Sequence, residues 1–321
     1  MNKISVILII ASLLVFIGSC DNADNELKIE QWKRVSQNPI YRDLIPSENY
    51  QTASDAHVFF DENNSLKMIY TGDGTDNISI KLASGTSWYN WVEEKILLDR
   101  IGPSGLDKNK ETAFYRKSSN GKHQIYYIGY SDEETYEAQI FLAEADSLNG
   151  VFTQGDSPIV SKGNIAGKKV YCMTSPSVVE FEGLLYLTFI GWDNSPNNVT
   201  EVWVIGATSS DDGHTWSNFK EVDTKIGMEG QITKISNNKF ISVRTSEYEE
   251  KEAIFYSTSS SPFGPWIEQE KPILIQSGPP YEKDEIISPQ ITIDPVTGKQ
   301  YLYYTGADYQ IGWWIMLAEK K

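Results

Sequence analysis

From residue 54 onward, apolar and polar positions follow one short rhythm. SDAHVFFDENNSLKMIYTG (54–72) is a β-rich run, a polar turn and a second run rich in Tyr and Ile. The arrangement returns as ETAFYRKSSNGKHQIYYIG (111–129), SPSVVEFEGLLYLTFIG (175–191), EGQITKISNNKFISVRT (229–245) and SPQITIDPVTGKQYLYYTG (288–306). The turns DENNS, SSNGK, FEG, SNN and DPVTGK carry the Asn, Asp and Gly that tight hairpins need. Third runs follow, such as AQIFLAEADS (138–147), VWVIGATSS (202–210), EAIFYSTSS (252–260) and WWIMLAEK (313–320). Gly-and-Trp closures come after several of them: SGTSWYNW (84–91), DGHTWSNF (212–219) and FGPWIE (263–268). Five units of about sixty residues, each with up to four short strands, predict an all-β, five-bladed β-propeller. A two-sheet sandwich is the alternative, but it would not demand regular copies. The propeller is expected over residues 30–321, with residues 28–50 supplying an outer strand that helps close the ring.

The N-terminus breaks this rhythm. MNKISVILIIASLLVFIGSC has one early Lys, an apolar run too short for an ordinary membrane span, and small residues before Cys20. The ending Ile17-Gly18-Ser19-Cys20 resembles a bacterial lipobox, so residues 1–20 are expected to be a lipoprotein signal ending in a lipidated Cys20. Residues 21–29 begin with the acidic DNADNEL and read as a flexible tether. The expected location is the bacterial outer membrane, at the cell surface or the periplasmic face, with the lipid as the sole membrane contact. Cys172 is then unpaired, and a small buried hydrophobe is the favoured reading for it.

Charge narrows the partners. The formal net charge is −16 and the isoelectric point is near 4.7. Nucleic-acid binding requires a basic surface, so it is excluded as an expectation. Neutral substrates fit best. The 9 Trp, 18 Tyr and 12 Phe supply both core and flat stacking surfaces for sugars. Three His (57, 123, 214) support no transition-metal site, and no phosphate loop is present. No cofactor is required. A structural Ca2+ remains open because oxygen ligands are abundant. The chain is expected to be a monomer.

In a propeller the first strand of every blade lines the central channel, and the residue opening it sits at one mouth. The repeats place Asp55, Glu111, Ser175, Glu229 and Ser288 there. Two carboxylates facing one cleft suit glycoside hydrolysis, one as proton donor and the other as nucleophile or base. The flanking candidates for substrate binding are His57, Asp73, Trp192, Arg244 and Asp308, alongside Ser175 and Ser288. Each has a structural alternative: a buried satisfied imidazole for His57, turns for Asp73 and Asp308, core packing for Trp192 and an ion pair for Arg244. SSDDGHTW (209–216) fits S-x-D-x-G-x-T-W, a hairpin tie at the blade edge, and is read as structural.

The blade openings, the YTG-like second strands and the phrases AEADSLNGVF (143–152) and STSSSPFGPW (257–266) resemble the five-bladed β-propeller glycoside hydrolases. The resemblance is to families 43, 32, 62, 117 and 130 and covers nearly all of residues 30–320. Family 43 and 32 enzymes carry an Asp in the first blade, an Asp two blades later and a Glu in the next. The resemblance therefore implies that Asp55 is the general base or nucleophile and Glu229 the general acid. The middle position is Ser175, a departure from the pattern, and Glu111 is the candidate for supplying the missing charge. The expected function is a glycoside hydrolase acting on a neutral oligo- or polysaccharide. The alternatives are a surface carbohydrate-binding propeller with a degenerate site, or a phosphorylase drawing on Arg116 and Arg244.

Overall fold

The computed structural model describes residues 31–45, 50–75, 77–222, 227 and 229–321. The expected signal, Cys20 and the expected tether lie outside the described residues.

Five successive antiparallel units run along the chain. Blade 1 is Tyr50–Phe60, Leu66–Asp73, Ile78–Ser87 and Asn90–Leu98. Blade 2 is Asn109–Lys117, His123–Tyr130, Gln139–Ala145 and Thr153–Gln154. Blade 3 is Cys172–Phe181, Leu184–Trp192, Val202–Ser209 and Ser217–Glu221. Blade 4 is Gly230–Ser236, Lys239–Tyr248, Lys251–Ser259 and Ile267–Glu268. Blade 5 has Glu285–Ile293, Gln300–Asp308 and Gly312–Lys320 from its own repeat. Its outermost strand is Trp32–Arg34, which pairs antiparallel with residues 318–320. The ring is thus closed by the opposite end of the chain. The inner strand of each blade touches those of its two neighbours, and blade 5 returns to blade 1.

Stacking of blades explains the apolar runs. A blade interior is covered on both faces, so its strands need apolar side chains on both sides rather than strict alternation. His123–Tyr130 is buried at every position. Between blades 1 and 2 sit Ile69, Leu82, Tyr127 and Phe141. Between blades 2 and 3 sit Tyr126, Ile128, Leu187 and Phe189. Val179, Phe240 and Ile232 form the smaller seam between blades 3 and 4. Val243, Tyr256, Leu302 and Tyr304 fill the next, and Met68, Tyr70, Tyr303 and Ile315 join blade 5 to blade 1.

The Gly near the end of the second strand has a packing reason. A Cβ on Gly129 would lie 2.5 Å from Asp107 Cβ, and one on Gly306 would lie 2.5 Å from the Tyr281 carbonyl. In both blades the incoming linker crosses directly over that glycine.

The hairpin at 209–216 is the expected tie. Asp211 accepts the Thr215 amide at 3.0 Å and its hydroxyl at 2.6 Å, and Ser209 Oγ donates to Asp211 at 2.7 Å. The neighbouring Asp212 pairs with Arg116 of blade 2 at 2.9 Å, so the hairpin also pins two blades together.

Candidate active site

Four inner strands share a local fault. The antiparallel register slips between Ser54 and His57, Glu111 and Phe114, Thr174 and Ser177, and Ile287 and Gln290. At each slip one residue takes a left-handed backbone: Asp55 at φ 53°, Thr112 at 45°, Ser175 at 52° and Ser288 at 51°. Non-glycine residues rarely adopt this conformation, and a β-bulge that does so re-aims its side chain. The freed amides find hydroxyls. Asp55 N–H donates to Thr305 Oγ1 at 3.0 Å and Thr112 N–H to Thr71 Oγ1 at 3.2 Å. Ser175 N–H donates to Thr112 Oγ1 at 3.3 Å.

The bulges correct the sequence register in blade 2. The residue equivalent to Asp55 is Thr112, and Glu111 precedes it, in the place that Ser54 and Thr174 occupy in blades 1 and 3. The extra residue of a bulge is invisible in a pattern of apolar positions, so a one-residue offset has no sequence signal. Blade 4 differs again. Its ladder begins at Gly230, with Glu229 immediately before it and its carbonyl accepting the Thr245 amide at 2.9 Å.

These positions bring distant residues together. Ser288 Oγ lies within hydrogen-bond reach of both Asp55 Oδ1 and Glu229 Oε2. Ser54 Oγ donates to the other Asp55 oxygen at 2.9 Å. Thr174 Oγ1 donates to Glu229 Oε1 at 3.4 Å, and Ser175 Oγ accepts the Gly230 amide at 3.4 Å. Asp55 is only 6% exposed. Burial, reinforced by the Asp55 carboxylate and by Glu285 and Glu111, raises the proton affinity of Glu229 well above that of an ordinary glutamate, against the opposing Ser288 hydrogen bond. A serine hydroxyl has one proton. It can donate to one carboxylate only, so the bridge requires a proton on the other carboxyl. Glu229 is the better holder.

Glu111 stands beside this pair. Its two oxygens accept the phenols of Tyr130 at 2.5 Å and Tyr136 at 2.7 Å. Burial, then the Asp55 charge, pushes its carboxyl up to about 7 despite both phenols. Sequence reasoning missed Tyr130, Tyr136, Thr174 and Glu285. Tyr130 closes a second strand directly after Ile-Gly, which is the one signal that could have found it.

The remaining candidates lie elsewhere. His57 Nδ1 donates to Gln231 Oε1 at 3.1 Å, and the ring packs against Phe114, with ring centroids 4.2 Å apart. Burial pushes its imidazole down to about 4. It lines a cavity of about 420 Å3 bounded by all five inner strands, with Arg116, Lys117, Lys234 and Thr292. Trp192 is 6% exposed inside the seam between blades 2 and 3, so its ring offers no stacking face. Arg244 is 3% exposed and paired with Glu268 on the outer strand of its own blade. Asp73 accepts the Thr52 hydroxyl, and Asp308 accepts Lys283 at 3.2 Å and the Gln310 amide at 3.0 Å. Cys172 is buried and unpaired by disulfide, its thiol pushed up to about 12 by burial. Among the described residues no group of three or more His, Cys, Asp or Glu is arranged to hold a metal ion.

No protein-family model matches the chain, and no curated protein matches it in sequence. Solved structures do match in shape. One titled "Glycoside hydrolase" superposes with a TM-score of 0.69 at 15% identity, covering 88% of this chain and 91% of the other. The fold is that of the β-propeller glycoside hydrolases. The catalytic domain of a Coprinopsis cinerea family 62 α-L-arabinofuranosidase gives 0.65 at 12% identity, over 91% of this chain and 97% of that one. An N-acetylgalactosamine deacetylase from F. plautii, solved with blood group B trisaccharide, gives 0.64 at 15% identity, over 91% and 94%. At these identities the likeness is one of fold, and chemistry has to be argued from the site.

Proposed function

We propose that this protein is a glycoside hydrolase acting on a neutral oligo- or polysaccharide, with Glu229 as general acid and Asp55 as base or nucleophile. The observation that carries the reading is the Ser288 hydroxyl held between the two carboxyls. Cleavage of a glycosidic bond needs one carboxyl protonated and one free, at close range, and this bridge supports that division. Two hydrogen bonds through one oxygen put the nearest carboxyl oxygens at most about 6 Å apart, toward the close end of the range used by two-carboxylate glycosidases. Glu229 would donate its proton to the leaving oxygen. Asp55 would attack the anomeric carbon, or take a proton from water once substrate displaces the Ser288 bridge. The glycosidase names among the structural relatives support the same substrate class.

Phosphorolysis is less well supported. Arg116 and Arg244, the arginines proposed to hold phosphate, are each engaged by a carboxylate. Carbohydrate binding without cleavage is favoured by one observation: blade 3 brings the hydroxyls of Thr174 and Ser175 to the site and no carboxylate.

The test is release of sugar from oligosaccharides and aryl glycosides by the domain cut after Cys20, with and without phosphate. Release that falls at least about a thousandfold in Asp55→Asn and in Glu229→Gln supports the pair, a loss in the range reported for removing a principal catalytic group. Release that requires phosphate assigns phosphorolysis. Saturable sugar binding with no release assigns a binding protein. Proton NMR of the first-formed anomer separates retention from inversion. The lipid anchor belongs to the same proposal: labelling by a radioactive fatty acid is expected in the full chain and absent in Cys20→Ala.

A further inference from the structure

Charge is unevenly placed on this propeller. At the mouth end, the loops 131–138, 193–201 and 249–250 join second strands to third strands. They carry four, two and two acidic residues and no Lys or Arg. The opposite end of blade 5 differs. There an open depression of about 500 Å3 is lined by Lys33, Arg34, Lys299, Lys320 and Lys321, with Glu319 as its one acidic side chain. We propose that this basic depression docks on an anionic lipid surface, as a second membrane contact beside the lipid on Cys20, and turns the channel mouth away from the bilayer. The proposal rests on the reading of Cys20 as the anchor.

Strand direction places the depression. The first strand of blade 5 starts at Glu285, near the mouth, and ends at Ile293, so the turn after it, with Lys299, lies at the far end. The third strand, Gly312–Lys320, runs the same way and ends there too. Trp32–Arg34 begins at that end, since Trp32 faces Lys320 across the ladder. The Gln31 carbonyl accepts the Lys321 amide at 2.9 Å. The chain therefore enters the fold at the rim of the depression.

Pairing within the depression leaves positive charge over. Arg34 is held by Glu282 at 2.6 Å and Lys299 by Glu319 at 2.9 Å. Lys33 and Lys321, both exposed, enter no ion pair among the described residues. Lys320 stands beside them, its Nζ donating to Gln300 Oε1 at 3.4 Å. These cations come from two strand ends and a turn around an open surface, which suits a plane of phosphates better than one small anion.

The tether brings this surface to the membrane. Ten residues separate Cys20 from Gln31, and they span at most about 35 Å when extended. A lipid at Cys20 thus holds the depression close to the bilayer at high local concentration. Those ten residues contain four acids and one Lys, so the attraction has to come from the folded face. Each Lys or Arg brought to an anionic leaflet contributes roughly fivefold in partitioning, within a Debye length of about 8 Å. The acidic mouth end is repelled by the same surface. One end attracted and the other repelled favours a single orientation, with the channel open to glycan.

The experiment couples the mature chain through its Cys20 thiol to a maleimide lipid. Cys172 is buried and its thiol is pushed up to about 12, so Cys20 reacts alone. Lysine acetylation, read by mass spectrometry, is compared on phosphatidylcholine vesicles with and without phosphatidylglycerol. On the anionic vesicles Lys33 and Lys321 are expected to react at least about fivefold more slowly, and to recover at high salt. Lys169 and Lys251, exposed at the mouth end, should react equally on both. In Lys33→Glu combined with Lys321→Glu, two changes at exposed positions, Lys320 should lose its protection while the thermal midpoint stays unchanged. Equal rates for the depression on both vesicles overturn the proposal. So does protection by inorganic phosphate on neutral vesicles, which assigns a small-anion pocket. Protection already complete on neutral vesicles, and abolished when residues 21–30 are replaced by Gly and Ser, also overturns it, because the acidic tether is then the occupant. The maleimide stands in for the natural lipid, so the anchor and the docking surface fail separately. Selective protection in a chain that takes up no fatty acid supports the surface and rejects the anchor. Fatty-acid labelling without protection rejects the surface alone.

Discussion

A hydroxyl between two carboxyls has one proton to give, and much of the residue-scale behaviour follows from that. Ser288 holds Asp55 and Glu229 in register, and its hydrogen bond opposes the rise in the proton affinity of Glu229. Ser288→Ala removes both effects. Loss of a hydrogen bond to a charged group costs about 1.5–3 kcal/mol, so kcat/KM is expected to fall roughly 10- to 100-fold. Steady-state kinetics of the variant checks this. At this scale Asp55 and Glu229 were legible because each opens a repeated motif. Glu111 was legible as a nearby acid but one place out of register, because a bulge inserts a residue without altering the apolar pattern. Tyr130 and Tyr136 were not legible as a clamp. They meet Glu111 only because a second strand and the loop after it fold back over the inner strand.

Elements succeed or fail here on close approach. Gly129 lies near the end of a second strand beneath Asp107, and a Cβ there would lie 2.5 Å from the Asp107 Cβ and 2.9 Å from the Phe141 ring. Gly129→Ala is expected to destabilise the domain by about 1–3 kcal/mol, the usual cost of overpacking, read by urea unfolding. Asp211 is the tie of the blade 3 hairpin, accepting the Thr215 amide and hydroxyl. Asp211→Ala should cost about 1 kcal/mol and leave sugar release unchanged, because the hairpin faces Arg116 and not the carboxylate pair. The strand runs, their turns and this hairpin could be read directly, since each depends on neighbours in sequence. The reason for Gly129 could not, because Asp107 reaches it from the linker that leads into blade 2.

The whole molecule is held by a ring whose ends must meet. Trp32, near the start of the described chain, packs with Ile241, Ile254 and Met316 in the seam between blades 4 and 5. Trp32→Ala should destabilise the propeller by about 3–5 kcal/mol, seen as a lowered thermal midpoint with a single cooperative transition. Acidity also acts at this scale. Burial pushes the Glu252 carboxyl from 4.5 up to about 7, against the Ile286 amide that donates to it. The folded protein therefore binds more protons than the unfolded chain between these values, and that contribution to stability is lost as pH rises through about 7. Glu252→Gln keeps an acceptor for the amide and removes the titration, so its thermal midpoint should exceed that of the parent more at pH 8 than at pH 4.5. His57 works in the other direction. Its folded imidazole is pushed from 6.5 down to about 4, so its contribution is lost as pH falls through that window.

By itself the sequence determined the period, the all-β character, the five units and the two carboxylates that open the first and fourth of them. Those features are local: strand runs, turn residues and glycines act on their own stretch of chain and recur at fixed intervals. Only the tertiary structure decided which side chains share the mouth of the ring. The closure by Trp32–Arg34, the left-handed bulges, the Ser288 bridge and the Tyr130–Glu111–Tyr136 clamp join residues from different strands, loops or blades. Their geometry depends on ladder register and blade stacking, which no single stretch of sequence specifies.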